Sequence, residues 1–160
     1  MPDITPLDAR FLVLERLGVV LSGLAEDEAL LARTSVRNAW FTPDFSADAL
    51  RAWAAALEAK SLNQWRTLWP SSLGPTRKVG IVGAGNLPLV ALHDLLCAYL
   101  AGHEVWFKPS SDDPVLTSAV LDGLRSLDPD ARIFLAERLN GVDALIATGG
   151  DQAVAHFDQY

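Results

Sequence analysis

Two kinds of hydrophobic pattern divide this chain. Over roughly the first seventy residues apolar positions recur at helical spacing, and beyond them short apolar runs alternate with amphipathic stretches. Residues 7–24 predict a helix with Asp8 near its start, and residues 26–33 a second, short one. The segment Asn38-Ala39-Trp40-Phe41-Thr42-Pro43 breaks the pattern. A third helix is expected from Ser46, with Leu50, Trp53, Ala54 and Leu57 on one stripe, and a fourth over residues 61–69, ending at Pro70. Trp40, Trp53, Trp65 and Trp69 read as anchors against the domain on the C-terminal side of Pro70. Pro70-Ser71-Ser72-Leu73-Gly74-Pro75 has the turn chemistry of a linker. Then come a strand at 78–82, a helix at 88–101, a strand at 104–107, a helix at 114–127, strands at 132–135 and 143–147, and a helix from about Asp151. That alternation predicts an α/β fold. Residues 1–75 are expected to form a helical segment, and residues 76–160 a partial α/β domain of parallel βαβ units with right-handed crossovers.

Composition narrows the partners. Half of the 160 residues are hydrophobic, enough to bury a core. A formal charge of −7 argues against nucleic acid or an anionic membrane surface as a general partner. The lone cysteine, Cys97, excludes an intrachain disulfide framework. The first ten residues carry Asp3, Asp8 and Arg10 and do not resemble a secretory leader, and the longest apolar stretch is interrupted by His93 and Asp94. A cytoplasmic protein without a membrane span is the expectation. His103 and His156 stand alone, and no metal-ligand spacing occurs.

In parallel sheets ligands bind at the carboxyl ends of the strands, and three such ends carry chemistry here. Gly83-Ala84-Gly85-Asn86-Leu87-Pro88 follows the first strand. A dinucleotide fingerprint needs a third glycine where Pro88 stands, and an acid at the end of the second strand, where Lys108 stands. Pro88 instead suits the first turn of a helix. The standard fingerprint therefore fails, and a lone Gly-x-Gly by itself reads as an ordinary strand-to-helix connection. Within it the Asn86 amide is either an oxyanion donor or a turn and cap residue. Lys108-Pro109-Ser110-Ser111 ends the second strand, its ammonium placed either to meet ribose hydroxyls or a phosphate or to snorkel into solvent. Thr148-Gly149-Gly150 precedes a helix and offers amides to a pyrophosphate, or is a glycine turn capped by Asp151, whose charge would oppose a phosphate. Cys97 reads as a small hydrophobe, with His93 four residues earlier as the one basic neighbour on its face; a Cys–His nucleophile is the competing reading.

Five segments in order resemble the aldehyde dehydrogenase superfamily, and within it the LuxC-type acyl-CoA reductases: Asn38 to Pro43, Gly83 to Leu89, His93 to Cys97, Phe107 to Ser111, and Ile146 to Gly150. The resemblance spans about residues 38–150. It implies that the sheet is of the aldehyde-dehydrogenase-like cofactor-binding type and that Asn86 is the oxyanion-hole asparagine. It also implies that Lys108, with Ser110 and Ser111, meets the adenosine ribose, and that Thr148, Gly149 and Gly150 form the pyrophosphate turn. Ser111 stands where the superfamily often has a ribose-binding glutamate, which favours NADPH, with NADH as the alternative. Gly150 replaces a usual serine. The superfamily's nucleophilic cysteine lies in a downstream domain, so Cys97 does not inherit its role. The expectation is the N-terminal, cofactor-binding part of an acyl-CoA reductase that reduces fatty acyl thioesters to aldehydes and is inactive alone. Its expected partners are the acyl thioester, a downstream catalytic domain or a second copy. A stand-alone nucleotide-binding or regulatory module and a non-functional truncated product are the competing readings.

Overall fold

The computed structural model describes residues 4–148. Four helices come first: α1 (Pro6–Leu24), α2 (Glu28–Arg37), α3 (Pro43–Ala56) and α4 (Ala59–Arg66). The starts of the first three are written locally. The side chains of Thr5, Asp27 and Thr42 accept the amides of Asp8, Leu30 and Phe45, satisfying donors that a helix N-terminus leaves free. Pro6 and Pro43 occupy the first turn, where a missing N–H costs nothing. Helix α2 runs past its expected end to Arg37; within it Thr34 is buried and its hydroxyl donates to the Leu30 carbonyl. Helix α4 starts and ends earlier than expected, so Trp69 lies beyond it.

The α/β part comes next: β1 (Lys78–Val82), α5 (Leu92–Leu100), β2 (Glu104–Lys108), α6 (Pro114–Leu127), β3 (Ile133–Leu135) and β4 (Ala144–Ala147). All strand pairings are parallel, and the order across the sheet is β3-β2-β1-β4. The chain crosses from one edge to the other through residues 136–143 without a helix. Val79, Ile81, Val105, Phe107 and Ile133 are buried in one continuous core with Leu95 and Leu96 of α5, Leu116 and Leu121 of α6, and Leu14, Leu17 and Leu21 of α1. On the other face Leu139, Val142 and Leu145 lie against Gly80. There the Lys78 ammonium sits 3.7 Å from the Trp106 ring centre, and Trp106 packs on Phe134.

Two expectations are corrected. Pro88 does not open the helix after β1; α5 starts at Leu92, and residues 83–91 form a wide turn. Of the four N-terminal tryptophans, Trp40 anchors nothing, being 86% exposed. Trp65 does stack on His93 of α5, and Phe11 packs edge-on against both Trp65 and Trp69. No helix among the described residues is long and apolar enough to cross a membrane.

Candidate functional site

The strand register brings the three chemistry-bearing ends into one row. Val82 pairs with Lys108 on one side and with Ala147 on the other, so Gly83, Pro109 and Thr148 leave the sheet side by side. The Gly83 amide donates to the Lys108 carbonyl at 2.9 Å, extending the β1–β2 ladder by one bond. Gly85 then packs flat against the second loop. A Cβ there would overlap the Ser110 side chain and lie 2.7 Å from the Asp112 Cβ. The second glycine of the turn is thus required by loop-on-loop contact. Asn86 and Leu87 follow at the exposed tip of the turn, and no hydrogen bond ties the Asn86 side chain to another described residue.

The turn is held from below. Leu89 has φ +58°, the one non-glycine residue among those described with positive φ. That conformation costs an ordinary side chain about 1–3 kcal/mol and persists only where its surroundings enforce it. Here the enforcing group is Asp113, whose Oδ2 accepts the Leu89 amide at 3.0 Å and the Thr117 hydroxyl at 3.1 Å. Asp113 is 4% exposed, and its Oδ1 has no partner among the described residues. Burial pushes the Asp113 carboxyl above the usual carboxylate range, against the opposing pull of its two donors. The left-handed Leu89 is also why α5 begins late, since a helix cannot pass through it.

The loop after β2 is held from the helical side. The Arg37 guanidinium donates to the Ser111 carbonyl at 3.0 Å and the Asn38 amide to the Asp112 carbonyl at 3.2 Å. Ser110 is half-buried, and its hydroxyl accepts the Asp112 amide at 3.1 Å. Ser110 is therefore engaged within its own turn, whereas Ser111 and Lys108 are exposed. Lys108 borders an open cleft of about 660 Å³ whose lining includes Glu137, Arg138, Asn140 and Leu145. Nothing local in the chain marks Glu137 and Arg138 as site residues, because it is the connection from β3 to β4 that carries them there.

Thr148 stands at the end of β4, and its hydroxyl donates to the Asp94 carboxylate at 3.2 Å. A carboxylate therefore lies where the pyrophosphate turn was expected to begin. Gly149 and Gly150, and the helix expected from Asp151, lie outside the described residues. Cys97 Sγ is 3.6 Å from His93 Nε2. Burial, and secondarily the Asp94 charge, push its thiol up, away from the thiolate that a nucleophile needs. Among the described residues no three His, Cys, Asp or Glu side chains are grouped to hold a metal ion.

Residues 56–157 match the family described as acyl-CoA reductase (LuxC), well over half of the chain. No curated protein matches the sequence.

Proposed function

Because this chain belongs to the acyl-CoA reductase (LuxC) family, we propose that its sheet is the nicotinamide-nucleotide-binding part of an NADPH-dependent reductase that converts fatty acyl thioesters to aldehydes. The observation that carries this reading is the single row formed by the ends of β1, β2 and β4, with Asn86 in the turn after β1 and Lys108 at the end of the neighbouring β2.

The residues at these ends fit one half of the cofactor better than the other. Lys108 and Arg138 border an open cleft, and both are exposed, as is Ser111 three residues after Lys108; contacts to the adenosine ribose and a 2′-phosphate require such exposure. Glu137 at the same cleft opposes a 2′-phosphate and favours free ribose hydroxyls, so the balance of Arg138 against Glu137 bears on NADPH against NADH. At Thr148 the fit is poorer, because Asp94 meets the same hydroxyl, and a pyrophosphate carried by Thr148, Gly149 and Gly150 requires that carboxylate to turn away. Ser110 supports the loop from within its own turn.

When bound, the reduced nicotinamide supplies a hydride to the acyl carbon. The part played by this chain is electrostatic. The Asn86 amide donates a hydrogen bond to the acyl oxygen as negative charge develops there, and a fixed donor of this kind is worth roughly a hundredfold or more in turnover. The acyl group itself is carried by a cysteine other than Cys97, whose thiol burial disfavours ionisation.

A nucleotide titration tests the reading. The chain is expected to bind NADPH, with Lys108→Ala weakening binding roughly tenfold to a hundredfold, the worth of a charge-assisted hydrogen bond. Asn86→Ala should leave nucleotide affinity unchanged and lower acyl-thioester turnover in an active reductase that contains this segment. Absence of binding to NADPH and NADH alike would sink the proposal. Binding with turnover unaffected by Asn86→Ala would leave a nucleotide-binding module.

A further inference from the structure

Asp113 stands at the N-cap of α6, yet its side chain caps none of that helix's first-turn amides. It accepts instead from Leu89, twenty-four residues earlier in the chain. An aspartate in this position ordinarily serves its own helix. Here it holds another loop in a conformation that a leucine does not adopt unaided.

Three fastenings join the turn after β1 to the loop after β2. The Gly83 amide bonds the Lys108 carbonyl, Gly85 packs on Ser110 and Asp112, and Leu89 is gripped by Asp113. Asn86 lies between the second and the third. Since its side chain has no hydrogen bond to another described residue, its place is set by the backbone on either side. The Asp113 end is built for rigidity: the carboxylate is buried, Thr117 braces it, and Phe107, Val120 and Leu121 close around a cavity of about 20 Å³ beside it.

We propose that Asp113 is a positioning residue for Asn86: by fixing Leu89 it locks the turn 83–89 onto the loop 108–113 and so sets where the Asn86 amide stands over the reacting acyl oxygen. The functional half of this inference rests on the reading of Asn86 as an oxyanion donor; the lock itself does not.

Amide hydrogen exchange of the full chain tests the lock, in wild type and in Asp113→Leu, which removes the acceptor while filling the adjacent cavity. The Leu89 amide is expected to exchange about tenfold faster or more, as for a lost hydrogen bond to a charged group, while Leu121 and Leu124 in α6 keep their wild-type rates. Unchanged exchange at Leu89 in a folded variant overturns the proposal. If Asp113→Leu does not fold, Asp113→Ser takes its place, because a serine is suited to cap the start of α6 itself but is too short to reach Leu89, and the same two outcomes decide.

The functional half is read from turnover in an active reductase containing this segment. Asp113→Leu should lower kcat with little change in the KM for nucleotide, and Asn86→Ala combined with it should be no worse than Asn86→Ala alone. Fully multiplicative losses would overturn positioning. If Asn86→Ala leaves turnover intact, the oxyanion role falls and the positioning claim with it, whereas the exchange result at Leu89 still decides the lock.

Discussion

Asp113 and Cys97 are both pushed up by burial, and their surroundings separate them. Cys97 has a histidine nitrogen within 3.6 Å, yet Asp94 adds a second penalty on its thiolate, so proximity alone does not make a nucleophile. Asp113 has two donors on one oxygen, which offset part of the burial. A carboxyl whose folded-state pKa is raised holds its proton more tightly folded than unfolded. Its contribution to stability is complete below the ordinary carboxyl range and is lost as pH rises through the raised value. Asp113→Asn keeps an acceptor for Leu89 but does not titrate. Its melting temperature relative to wild type should therefore climb as pH is raised from about 3 to about 8. Thermal melts across that range check it, and a difference that shrinks with rising pH would contradict the raised pKa.

At the scale of elements, α1 holds two glycines with opposite meanings. A Cβ on Gly18 would lie 3.1 Å from the Leu57 Cβ and 3.3 Å from the Ala54 carbonyl oxygen, so α3 passes too close for a side chain. Gly23 meets nothing within 4 Å. Gly18→Leu should cost about 1–3 kcal/mol by overpacking, whereas Gly23→Ala should gain about 0.5–1 kcal/mol from helix propensity alone; chemical denaturation of the two variants checks both signs. The same contrast between local and distant causes separates what could be read from the chain from what could not. β1 over Lys78–Val82 and α6 over Pro114–Leu127 follow the apolar runs and the proline that marks the helix start. The start of α5 does not, because Leu89 turns left-handed for the sake of a carboxylate on another element. Lys108 and Asn86 were legible as candidates from strand ends. Asp113, Arg37 and Asn38, which hold their loops, and Asp94, which meets Thr148, act only through contacts the fold creates.

For the molecule as a whole the helical segment belongs to the foundation of the site. Leu14, Leu17 and Leu21 of α1 are fully buried in the same core as Ile81 and Phe107 of the sheet, and α1 packs on α3, α5 and α6. Arg37 and Asn38 at the end of α2 grip the loop that follows Lys108. A core this continuous makes helical segment and sheet lose structure together, although their sequence patterns differ on either side of the Pro70–Pro75 stretch. Leu17→Ala should cost about 2–5 kcal/mol, as for a buried leucine whose surroundings collapse only partly. Denaturant unfolding followed by tryptophan fluorescence reports mainly the helical side, where Trp40, Trp53, Trp65 and Trp69 lie. Amide exchange in β1 reports the sheet. Both midpoints should fall together in Leu17→Ala, because α1 contributes to a single shared core. If β1 kept its wild-type protection while the fluorescence transition moved, the helices and the sheet would be separate folding units, and the grip of α2 on the 108–113 loop would be a contact between independent bodies.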